Sequence, residues 1–154
     1  MFSRITKEFI RTHKFESDGL NFPDEKVYYR PRPGMKLPPS AEENFATLRI
    51  KIIEIFTERY GKNFAKFESD CSISEAIMRK YLKGTRNITR AALAKFCIGT
   101  KLTLEQSAEL FTLQGHSLEP ATQRFDALVE NALQDGDDIH IFYETCQKYN
   151  LKIF

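Results

Sequence analysis

From position 45 onward the apolar residues of this chain recur at helical spacing. Phe45, Leu48, Ile52, Ile55 and Phe56 share one face of a 3.6-residue period, and Ile53 widens the stripe. Ser40 precedes the stripe with Glu43 three residues on, the spacing of a capping box, and Gly61 follows it. This predicts a first core helix from about Ser40 to Gly61. A short second helix is expected over Asn63 to Asp70, burying Phe64, Phe67 and Cys71. A third opens at Ser72 or Ser74, runs to Leu82 and stops at Gly84. Its inward residues are expected to be Ile77, Tyr81 and Leu82. Glu75, Ala76, Met78, Arg79, Lys80 and Lys83 are expected outward, with Met78 open to partial cover.

Thr89 begins a fourth helix with Ala92, Leu93 and Phe96 inward. Thr103 opens a fifth, where Gln106 completes a capping box and Leu104, Ala108, Leu110 and Phe111 form the apolar face before Gly115. Two more helical patterns follow. One starts near Pro120, carries Phe125, Leu128, Val129 and Leu133, and ends in the turn Asp135-Gly136-Asp137-Asp138. The other runs from Ile139 to about Tyr149 with Ile139, Phe142, Tyr143 and Cys146. No segment alternates as a strand would, so the fold class is all-α.

The front of the chain has a different character. Phe2 to Phe15 fits one short amphipathic helix, with Phe2, Ile5 and Phe9 on a face beside Ile10. Four prolines and a glycine between Tyr28 and Ser40 then exclude a helix. That stretch reads as an extended arm carrying Tyr28, Tyr29, Arg30 and Arg32, either strapped across the core or following a nucleic-acid groove. The organisation is thus an N-terminal short helix and Pro-rich arm over 1–40, a helical domain over 41–115 and a helical extension over 116–154.

Composition narrows the chemistry. The chain has 154 residues, 42% hydrophobic and 29% charged, enough for one domain with its own core. Net charge is only +2 but unevenly spread: +3 over residues 1–36, +4 over 37–99 and −5 over 100–154. Between Ala76 and Leu104 there is no acid, while Arg79, Lys80, Lys83, Arg86, Arg90, Lys95 and Lys101 are present. A basic face on a small helical domain is the footprint of a phosphate backbone. Cys71, Cys97 and Cys146 fit neither a disulfide framework nor a zinc site, and read as buried thiols. No run reaches membrane-spanning length and no secretory leader opens the chain, so a cytoplasmic protein without membrane contact is expected. His13, His116 and His140 lack metal spacing, no glycine-rich phosphate loop occurs, and no nucleophile pairs with a base. Asp137, Asp138 and His140 are better explained by turn solvation and capping than by a cation. Neither an enzyme nor a cofactor is expected.

The segments NFAKFESDCS, ISEAIMRKYLKG, TRNITRAALAKF and GTKLTLEQSAELF, in that order, resemble the lambda-repressor-like helix-turn-helix family over about residues 45–113. Ile73-Ser74 resembles the opening of a recognition helix and Gly84 the glycine that closes it. The resemblance implies a five-helix DNA-binding domain, here with an N-terminal arm and two additional C-terminal helices, in a small regulator of the kind carried by phages and mobile elements. It implies that Glu75, Ala76 and Arg79 approach base edges. Lys80, Lys83, Arg86, Asn87, Thr89 and Arg90 would then meet phosphates. Three positions depart from the family pattern: Glu68 where a small residue packs on the recognition helix, Phe64 where a Gln contacts phosphate, and Cys71-Ser72 in place of a turn glycine.

The leading expectation is therefore a double-stranded DNA-binding transcriptional regulator, with a homodimer through residues 116–154 as one use of Phe125, Leu128, Phe142 and the Leu151–Phe154 end. Packing on the fifth helix of the domain explains the same residues. The alternative is a protein-interaction module on the same scaffold, such as an inhibitor, antitoxin-like binder or assembly adaptor. The three departures and the acidic C-terminal part favour it. RNA binding through the Tyr-Arg-Pro arm is a third reading.

Overall fold

A computed structural model describes residues 4–19 and 39–153, with the backbone alone for 39–41. The Pro-rich arm, Phe2 and Phe154 lie outside the described residues. Among those described there are eight helices: α1 Lys7–Thr12, α2 Pro39–Tyr60, α3 Phe64–Cys71, α4 Glu75–Lys83, α5 Arg90–Gly99, α6 Leu104–Gln114, α7 Arg124–Asp135 and α8 Ile139–Lys148. They contain no strand, only an isolated bridge between Ser17 and Gln123. The fold is an all-α bundle.

Local chemistry sets most boundaries. Asn63, Ser74, Thr89 and Asp138 each accept a backbone N–H from the first turn of α3, α4, α5 and α8. Thr103 and Gln106 close a reciprocal capping box on α6, at 3.1 and 2.9 Å. Ser72 takes the left-handed conformation, φ 57°, and closes α3, leaving Ser74 to open α4. Two starts differ from the sequence pattern. The α2 helix opens at Pro39, so Ser40 lies inside it; a proline there gives up an N–H that would have had no helical partner. The α7 helix begins at Arg124, with Pro120 in the preceding turn and Gln123 making no side-chain cap.

The centre of the bundle is α5, buried along nearly its whole length and packed on α3, α6, α7 and α8. A Cβ at Gly99 would overlap the Cys71 sulfur and the Asp70 carbonyl, so glycine is what lets α5 and α3 approach this closely. Phe56, Tyr60, Phe64 and Phe67 form an aromatic cluster with ring centroids 5.0–5.7 Å apart, joined through Phe67 to Phe96.

The apolar core is continuous from Ile10 to Leu151. Phe125, Leu128 and Phe142 are buried within the chain and contribute nothing to a surface for a second copy, which corrects the dimer expectation for those side chains. They cover α5, which could not bury its far side without α7 and α8. The N-terminal segment docks on α7: the Ile5 N–H donates to Gln134 Oε1 and Asn131 Nδ2 donates to the Ile5 carbonyl, both at 2.9 Å. Arg4 and Lys7 pair with Asp135, and Lys7 also with Asp137.

No helix of the described residues is long and apolar enough to cross a membrane. Cys71, Cys97 and Cys146 are free and buried.

Candidate nucleic-acid interface

Helix α4 follows α3 after the three-residue turn Ser72 to Ser74. It ends at Gly84, φ 77°, where the Gly84 and Thr85 N–H groups return to the carbonyls of Tyr81 and Lys80. Its buried side is Met78 and Tyr81, flanked by half-buried Ile77 and Leu82. Met78 was expected outward and is fully buried. The four apolar residues occupy two adjacent pairs, so the helix can turn by one position without losing an apolar face. The unbranched thioether of Met78 fills the space beneath.

The opposite side presents Glu75, Ala76, Arg79, Lys80 and Lys83, all exposed. The structure brings these five expected residues onto one face. Arg79 is the most organised of them. Its Nε donates to Glu75 Oε2 at 2.8 Å, and its guanidinium lies 4.4 Å from the Phe64 ring centroid. Phe64 is thus the platform on which Arg79 rests. Glu68 points outward and its Oε1 accepts the Glu75 N–H at 3.3 Å. This supplies an anion to the positive end of α4 and removes any need to bury a carboxylate between α3 and α4.

The turn from α4 to α5 holds Arg86, Asn87 and Thr89, all half-buried. Thr89 caps α5, its Oγ1 accepting the Ala92 N–H at 3.1 Å. Lys95 donates to the Ser72 carbonyl at 3.1 Å, and burial lowers its pKa from the ordinary lysine value.

Arg90 is the expected phosphate contact that the structure removes from the surface. Only 2% exposed, it donates from Nη2 to both carboxylate oxygens of Asp126 at 2.8 Å and from Nη1 to the His116 carbonyl at 2.7 Å. Its guanidinium also lies 5.0 Å from the Phe111 ring centroid. Burial pushes the Asp126 carboxyl above the usual range, opposed by Arg90 and by the Glu119 N–H at 2.8 Å. A cation in the first turn of a helix opposes the dipole. That was the one sequence signal that Arg90 needs an acid nearby.

Two further residues escaped the sequence pattern. Asp126 sits in the apolar run Phe125 to Val129 and reads there as a surface position. Arg49, on α2, lies across Gly84 at the carbonyl end of α4, where a cation is favoured. Nothing in its own segment marks it out.

Comparisons of the chain with protein-family models, curated proteins and solved structures gave no match.

Proposed function

We propose that this chain is a sequence-specific double-stranded DNA-binding regulator of transcription. On this reading α2 to α6 form a five-helix, lambda-repressor-like unit in which α3 and α4 are the helix-turn-helix pair and α4 enters the major groove. The observation that supports it most is the exposed face of α4, where Arg79, Lys80 and Lys83 stand together. Arg79, seated on Phe64, makes a bidentate contact with guanine. Ala76 meets a thymine methyl, and Glu75 accepts from cytosine N4. Lys80, Lys83 and Arg86 hold phosphates, with donors from Asn87 and Thr89. Arg90 has no part in the contact and instead fixes α5 against α7. The mechanism is occupancy: a bound protein blocks or recruits the transcription machinery.

The test is the salt dependence of binding to duplex DNA. Lys80→Gln, Lys83→Gln and Arg86→Gln each lower the slope of log K against log salt by about 1 if those cations displace counterions. Unchanged slopes in all three contradict the reading.

A protein-interaction module is the second reading, and one observation favours it. Glu68 and Glu75 place two carboxylates at the end of α4 that would enter the groove, and Glu75 already engages Arg79. Exposed Ile50, Ile141 and Tyr143 offer apolar contact area elsewhere.

A further inference from the structure

A cleft of about 220 Å³ opens between α2 and the turn that joins α4 to α5. Leu48, Ile52, Tyr81 and Ile88, all buried, supply apolar lining. Among the described residues, Arg49 and Arg86 bring the only charges to the lining, accompanied by Asn87, and no carboxylate faces the cleft. The walls are held in place. Gln114 Nε2 donates to the Ile88 carbonyl at 2.8 Å and so ties the turn to α6. Gly84 has no room for a Cβ beneath the Arg49 guanidinium.

Arg49 and Arg86, like Arg59, enter no ion pair among the described residues, whereas Arg4, Arg11, Arg79, Arg90 and Arg124 do. Both guanidiniums carry a positive charge into the lining of one recess, where screening by water is weaker than on an open surface. An oxyanion in the recess compensates that charge and takes up their planar donor forks. The apolar lining suits a body attached to that oxyanion.

We propose that this cleft binds a small amphiphilic oxyanion, a carboxylate or phosphate monoester carried on an aromatic or short aliphatic body. The oxyanion lies between Arg49 and Arg86 and the body rests on Leu48, Ile52, Tyr81 and Ile88. An occupant links α2 to the turn that carries Asn87 and Thr89. The cleft shares Arg86 and Asn87 with the proposed DNA contact, but its occupant is a small molecule and its test uses no nucleic acid.

Calorimetric titration of the full chain, with no DNA present, tests it with phenyl phosphate, benzoate, inorganic phosphate and benzyl alcohol. Phenyl phosphate or benzoate is expected to bind saturably, about tenfold or more tighter than inorganic phosphate or benzyl alcohol. Arg49→Gln and Arg86→Gln are each expected to weaken that binding about tenfold or more, while Lys152→Gln, which lines no part of the cleft, leaves it unchanged. Arg49 is exposed and Arg86 half-buried, and an unchanged circular dichroism spectrum verifies that each variant is native. Absence of saturable binding, equal binding of inorganic phosphate or benzyl alcohol, or wild-type binding by both arginine variants overturns the proposal.

Discussion

Arg90 and Asp126 form an ion pair between α5 and α7 in which each side chain is at most 2% exposed. The pair joins the central helix to the C-terminal helices, and each partner also bonds to backbone: Arg90 to the His116 carbonyl, Asp126 to the Glu119 N–H. Breaking a buried pair from one side leaves a charge without compensation, whereas replacing both partners by apolar groups does not. Asp126→Ala is expected to destabilise the fold by about 3–5 kcal/mol, and the double variant Arg90→Met, Asp126→Leu to recover most of that loss. Urea denaturation of the single and double variants measures it. A single variant as stable as the parent contradicts the assignment.

Helix α4 separates stability from surface chemistry. Met78→Ala removes a fully buried side chain and is expected to cost about 2–5 kcal/mol, while Arg79→Ala, one residue on, changes stability by no more than about 0.5 kcal/mol. Thermal and denaturant unfolding of the two variants checks the phase of the helix directly. The reverse order would return Met78 to the surface.

The phase of α4 shows where the sequence is legible and where it is not. Caps at Ser74, Thr89, Thr103 and Asp138 are readable because a capping side chain bonds to the backbone only three residues ahead. The order of helices followed from the same local signals and from the apolar period. In α4, however, Ile77, Met78, Tyr81 and Leu82 are all apolar in a nine-residue helix, and periodicity over so short a span cannot choose between adjacent faces. The exposed face is legible at Arg79, Lys80 and Lys83, since a charged side chain without a partner stays at the surface. Arg90 was not: its partner lies 36 residues away, and only the packing of α7 on α5 brings the two together. Arg49 meets Gly84 in the same non-local way.

Gly84 combines two constraints, a left-handed φ of 77° and the Arg49 guanidinium across its open face. Gly84→Ala is expected to destabilise by about 1 kcal/mol or more from backbone strain alone. Adding Arg49→Ala is expected to restore only the part due to the overlap. A double-mutant cycle with zero coupling between the two positions would contradict their contact.

Burial raises the thiols of Cys71, Cys97 and Cys146 from 9.0 to about 12. Between those values the unfolded chain has released its thiol protons while the native state retains them. The unfolded state therefore binds fewer protons, and stability falls as pH rises above about 9. Burial moves the Tyr60 phenol upward as well, which adds to the same trend at higher pH. Tm measured from pH 7 to pH 11 is expected to decline above pH 9, and Cys97→Ala to flatten that decline while lowering Tm throughout. A flat profile over this range contradicts the burial of the thiols.

The central claim is that the outward face of α4 reads DNA sequence. Its most direct test is selection from a pool of random duplex DNA at physiological salt by the purified chain and by Arg79→Ala, followed by sequencing of the retained molecules. The account predicts an enriched motif containing a guanine that Arg79→Ala no longer selects, with the variant as stable as the parent. A retained pool with no motif, or the same motif selected equally by the parent and by Arg79→Ala, would contradict it.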